Sequence, residues 1–139
     1  MKYYDIYDFN GIGYEKLFHH RDWRVAVLNY IDELEVDALK YMEAHNLTDE
    51  VFVLLEGSCH LFFAEVIHDE IKSICALNLE KHKVYKIPAG IFHTHTLSHD
   101  AKLLIIEEEN TSDQNSPRIY LTEQDKEMIK EAYERERNV

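Results

Sequence analysis

The sequence has no uninterrupted apolar run approaching the ~20 residues that a membrane-spanning helix needs, and no basic-then-apolar segment at its start. Both absences lead us to expect a cytoplasmic protein with no membrane partner. Cations are also scarce, with 15 Lys and Arg against 27 Asp and Glu and a formal net charge of −12. The few cations do not cluster, so the chain should repel a phosphate backbone, and neither nucleic acid nor anionic lipid is an expected partner. Cysteine is limited to Cys59 and Cys75, both inside strand-like apolar runs, CHLFF and IKSICAL. They read as small buried hydrophobes in a reduced compartment rather than as a bridge. Internal repeats and low-complexity segments are missing too.

What remains is 139 residues, 45% of them apolar, enough for one domain over residues 1–139 whose core needs neither disulfide nor structural metal. Nine Tyr and six Phe fit a β-rich interior. Residues 1–20 lack helical periodicity and read as a loop with one or two short edge strands, in which His19 and His20 are a solvated or packing pair. Trp23–Tyr30 is a strand, and Asp32–Asp37 an acidic connection. Ala38–His45 alternates, with Leu39, Tyr41, Glu43 and His45 on one face and Lys40, Met42 and Ala44 on the other. A helix over Ile31–Ala44 is the competing reading, since Leu34, Ala38, Tyr41 and Met42 also fit a helical stripe. We prefer the strand. After an Asn46–Asp49 turn, Glu50–Leu55 is a nearly continuous apolar run, as in a strand covered on both faces, and Gly57 ends it. Cys59–Ile67 and Ile71–Leu77 flank His68-Asp69-Glu70 as a hairpin. Val84–Ile87, Phe92–Leu97 and Ala101–Glu107 complete a series of short strands that predicts an antiparallel sandwich or barrel over about residues 20–110. A polar connection ending near Pro117 then leads to a predicted helix over about 122–137. Thr122 is its N-cap, acids fill its first turn, and Met128, Ile129, Ala132 and Tyr133 form a narrow apolar stripe.

Two short clusters carry the chemistry. His93 and His95 follow the Pro88-Ala89-Gly90 turn, and residues two apart on a strand share a face at about 6.5–7 Å between Cα atoms, so they could clasp one ion. Glu43 and His45 have the same relationship, and Glu50 returns across a tight turn from His45. Imidazole and carboxylate together suit a divalent transition metal such as Fe, Mn, Zn or Ni. His60, His68, His82 and His99 read as surface or loop residues. Tyr41 shares the parity of Glu43 and His45, which offers a phenol to the cavity or an ordinary core tyrosine.

At these positions the chain resembles a small single-domain cupin, a member of the cupin superfamily. The family's first motif pairs two histidines at i and i+2 with a Glu four or five residues later and a Gly seven beyond. Glu43-x-His45, Glu50 and Gly57 fall on it. The second motif, Pro-x-Gly-x-x-His, is matched by Pro88, Gly90 and His93. The resemblance extends from about Trp23 to Glu107 and implies an all-β, antiparallel jelly-roll (double-stranded β-helix) barrel with a short C-terminal helix. Departures are plain: Glu43 stands where the family has its first histidine, Asp37 and His82 where it has glycines, and Leu97 where it has its closing Asn. Two repairs of the ligand set are open. His95 could supply the third imidazole, giving His45, Glu50, His93 and His95, which we favour, or Glu43 could coordinate. An alternative keeps the barrel and loses the ion. The resemblance implies either a metal-dependent enzyme on a small polar metabolite (a sugar or an oxo or hydroxy acid, by isomerase or dioxygenase chemistry), with Glu43 or Tyr41 moving a proton, or a small-molecule binding or sensing module without catalysis. A third possibility is a structural protein with a vestigial pocket. A homodimer is expected in each case.

Overall fold

The computed structural model describes residues 2–137. Period-two alternation is realised as ten strands: β1 (Tyr14–His20), β2 (Trp23–Asn29), β3 (Tyr41–Glu43), β4 (Glu50–Glu56), β5 (Cys59–Ile67), β6 (Glu70–Asn78), β7 (Val84–Ile87), β8 (Phe92–Leu97), β9 (Lys102–Glu108) and β10 (Arg118–Tyr120), followed by one helix, α1 (Glu123–Arg137). They form two antiparallel five-stranded sheets, ordered β1-β2-β9-β4-β7 and β10-β3-β8-β5-β6, the double-sheet arrangement of a jelly roll. Ala26, Leu28, Phe52, Leu54, Leu61, Leu103 and Ile105 fill the space between the sheets.

Strand alternation decides which residues reach that space. On β4, Phe52 and Leu54 are buried while Val51, Val53 and Leu55 are only half-covered on the opposite face, so the expected cover on both sides is partial. Gly57 closes this strand with φ of +73°, and a Cβ there would lie 2.6 Å from Ala101 Cα, so both conformation and space demand glycine. The β5–β6 hairpin turns on His68 and Asp69, both at positive φ (52° and 62°), as a two-residue turn of the type whose twist matches the flanking strands.

The outer face of the second sheet is covered by α1. Ile129 and Ala132 pack with Met42, Phe62, Ile71 and Ile74, and Met128 and Tyr133 flank them, which is the apolar stripe expected of this helix. Its start is fixed reciprocally: Asp125 N–H donates to Thr122 Oγ1 (3.1 Å) and Thr122 N–H donates to the Asp125 carboxylate (2.9 Å).

Three expectations need correction. The strand predicted over Ala38–His45 is regular only at Tyr41–Glu43, because residues 32–34 and 36–38 coil into two 3-10 turns; the longer helix does not form there. Cys75 is exposed on the edge strand β6, whose flank no other strand covers, and both cysteines are free. His60 is buried rather than at the surface, because α1 brings Tyr133 edge-on against its ring at 4.9 Å. No helix among the described residues is long and apolar enough to cross a membrane.

Candidate metal centre

Glu50 opens β4 in the first sheet, His93 stands near the start of β8 in the second, and His45 follows β3 in the connection that leads to β4. Two backbone contacts hold the segments together: Gly90 N–H donates to the His45 carbonyl (2.9 Å), and Ala89 N–H donates to Asp49 Oδ1 (2.8 Å). The result is a buried group of His45, Glu50 and His93 whose ligand atoms all lie within 4.8 Å of one another. Nε2 of His93 is 2.9 Å and Nε2 of His45 is 3.2 Å from the same oxygen, Glu50 Oε1.

The partners of the other ring nitrogens decide what sits between. Nδ1 of His93 lies 2.9 Å from the Ile91 carbonyl, which can only accept, so Nδ1 carries the hydrogen and Nε2 of the neutral ring presents a lone pair. That lone pair faces a carboxylate oxygen, and two acceptors so close need a cation between them, a proton or a metal ion. His45 repeats the pattern with Nδ1 at 2.8 Å from Ser116 Oγ, whose hydroxyl has Asn115 Oδ1 as its own acceptor at 3.4 Å. The donor set therefore fits a divalent metal, with each imidazole oriented by its outer partner.

The electrostatics run through a row of residues that sequence reasoning missed. Arg24 and Glu107 are cross-strand neighbours on β2 and β9, and Arg24 donates to Glu107 Oε1 from Nη2 (2.6 Å) and Nε (3.2 Å). Glu107 and Glu50 line the same cavity, and the second Glu107 oxygen is buried without a partner. Burial, reinforced by the Glu50 carboxylate and opposed by Arg24, pushes Glu107 up to about 7. Burial alone would raise Glu50, but the His45 and His93 rings facing its Oε1 outweigh it and hold that carboxyl below the usual range. For His45 burial would lower the imidazole, and Glu50 outweighs this and raises it. Parity could have revealed the row, because Arg24 shares a face with Ala26 and Leu28, and Glu107 with Leu103 and Ile105.

The remaining predicted residues lie around this group, outside it. His95 has the right parity but stands one pleat further along β8, edge-on to Phe52 at 5.7 Å, with both ring nitrogens buried and unpartnered. Burial, aided by the nearby His93, lowers it to about 4. Glu43 is turned to Arg118 on β10, which donates from Nε at 2.9 Å, and Tyr41 lies beneath the same guanidinium at 4.2 Å. Tyr41, Glu43, His95 and Glu107 all line, with the central group, one cavity of about 480 Å³, whose walls include Tyr14, Leu34, Ile105 and Ser116.

A two-sheet jelly roll with imidazoles and a carboxylate converging inside it defines a recognisable class. The chain is a small cupin-fold domain. No family model and no curated protein matches it. Among solved structures, a cupin-2 domain protein from Shewanella frigidimarina aligns with a TM-score of 0.51 at 21% identity, over 73% of this chain and 85% of that one. PAC13 from Streptomyces, in a structure with uridine, aligns with a TM-score of 0.52 at 7% identity, over 84% and 86%. The Fe(II) form of HppE gives 0.52 at 17% identity, over 68% of this chain and 48% of that one, so the chain spans about half of that protein. At these identities the likeness is one of fold.

Proposed function

We propose that this protein is a metal-dependent enzyme in which His45, Glu50 and His93 hold one divalent transition metal and a small polar metabolite binds in the adjoining cavity. The observation that carries the reading is the pair of imidazole lone pairs turned onto one carboxylate oxygen, each ring fixed from behind by Ile91 or Ser116. Two imidazoles and one carboxylate suit Fe(II), and Mn(II) by the same hardness argument. A bound ion would supply Lewis acidity and open positions for vicinal oxygens of a sugar or an oxo or hydroxy acid, in isomerase or dioxygenase chemistry. This chain's own residues would orient and enclose the metabolite: the Tyr14 and Tyr41 phenols and the Ser116 hydroxyl offer polar contacts, while Leu28, Leu34 and Ile105 exclude water. Proton transfer falls to Tyr41 or Glu43 at the cavity wall.

A binding or sensing module is the second reading, favoured by the fact that the three groups already satisfy one another through hydrogen bonds when a proton takes the cation's place. Metal analysis of untagged protein separates the two, together with a screen of sugars and oxo and hydroxy acids on the loaded protein. The enzyme reading expects a stoichiometric transition metal and a turnover lost in His45→Ala and His93→Ala. Turnover surviving the loss of metal in those variants would exclude the mechanism.

A further inference from the structure

One row of residues crosses the second sheet at the level of the imidazoles: Arg118 on β10 pairs with Glu43 on β3, Glu43 with His93 on β8, and His93 with Phe63 on β5. Glu43 therefore stands directly between Arg118 and a candidate ligand. Its carboxylate is committed to the arginine, since Arg118 Nε donates to Oε2 at 2.9 Å. Its other oxygen is 3.9 Å from Nδ1 of His45, the edge of that ring pointing away from Glu50. Arg118 is itself held from two more directions. Nη2 donates to Asp113 Oδ1 at 3.0 Å, and the guanidinium lies over the Tyr41 ring.

Cross-strand neighbours have Cβ atoms about 4.5–5.5 Å apart, so a Glu43 carboxylate released from Arg118 would lie within reach of an ion held by His93. A buried divalent cation attracts a free carboxylate strongly, because the surrounding dielectric is low. Something must therefore keep Glu43 away if the site is to retain an open position on that side. The only cation in hydrogen-bonding contact with Glu43 among the described residues is Arg118, and its charge-assisted bond is directional and permanently ionised.

We propose that Arg118 is a positioning residue that withholds Glu43 from the metal, so that the site has two imidazole ligands and one carboxylate with room for a chelating ligand. The proposal rests on the metal reading above. Glu43 is then a latent fourth ligand, and β10, paired with β3, presents the arginine that restrains it.

Co(II) titration with visible spectroscopy tests this without any substrate. Wild type and Glu43→Gln are expected to bind Co(II) with equal affinity and the same d–d spectrum. Arg118→Met is expected to bind at least tenfold more tightly with a changed spectrum, and Arg118→Met/Glu43→Gln to return to wild-type behaviour. Arg118→Lys, which keeps a cation and guards against a folding artefact, is expected to keep the wild-type spectrum. A spectrum changed by Glu43→Gln alone would overturn the proposal, since Glu43 would already be a ligand, and so would an Arg118→Met protein, folded by circular dichroism, that binds as wild type does. Failure of the wild type to bind Co(II) at all would instead bring down the metal reading, and the proposal with it.

Discussion

Two buried titratable side chains near the centre pull the stability of the metal-free protein in opposite directions. His95 is lowered to about 4 by burial, so between that value and its unfolded pKa of about 6.5 the unfolded chain binds the extra proton and stability falls as pH is lowered. Glu107 is raised to about 7 by burial and by Glu50, so between about 4.5 and 7 the folded chain binds the extra proton and stability falls as pH is raised. The two effects oppose each other across the window they share, about pH 4.5–6.5. With a chelator present, urea denaturation at pH 4.5, 5.5 and 6.5 should show either slope once the opposing group is removed. His95→Met should lose stability with rising pH and Glu107→Gln should gain it, and two variants that both track the wild type would refute the assignment. At this scale the sequence was legible where a motif prescribes an offset: His45, Glu50 and His93 meet as their spacing implies. It was illegible where a partner decides the outcome. Glu43 follows Arg118, and the buried His60 is packed edge-on by Tyr133 from the helix.

At the scale of elements, the two motif turns carry backbone conformations that side chains resist. Gly57 needs its positive φ and has Ala101 where a Cβ would go, so Gly57→Ala should cost at least about 2 kcal/mol in denaturant unfolding. His82, on the position where the resemblance expects glycine, has φ of +69°. Relief of about 1–2 kcal/mol of left-handed strain, less roughly 0.5–1 kcal/mol of extra chain entropy, predicts that His82→Gly stabilises by about 0.5–1 kcal/mol. A destabilised His82→Gly or a neutral Gly57→Ala would show that these turns are not the strained elements described. The strands from β4 to β9 were legible because apolar alternation and turn residues agree along them. The three-residue β10 was not, since its pairing with β3 is set by tertiary context and by no periodicity of its own.

At the scale of the whole molecule, an acidic chain leaves apolar surface uncovered. Tyr3, Tyr4, Ile6 and Ile12 of the N-terminal segment, on the β1–β2 side of the first sheet, and Val84 on β7 at its opposite edge are between 71% and 85% exposed. The segment is pinned to that sheet by Tyr7 stacked on Phe18 and by Asn29 donating to the Phe9 and Gly11 carbonyls. Within the N-terminal segment Tyr3 and Tyr4 can each bury roughly 150–250 Å², and Ile6 and Ile12 add to the apolar face it offers a second copy. We expect a homodimer through it. Sedimentation should give a dimer that tightens with salt, as screening weakens the repulsion between two chains of charge −12, and removal of residues 2–7 should leave a monomer. A wild-type monomer at millimolar concentration would contradict this.

Whether His45, Glu50 and His93 share one cation is decided by anomalous diffraction at the iron and manganese edges from crystals of the metal-loaded protein. A single peak is expected within bonding distance of Nε2 of both histidines and of a Glu50 carboxylate oxygen. A loaded crystal with no peak there, or with its peak elsewhere in the molecule, would contradict a shared cation.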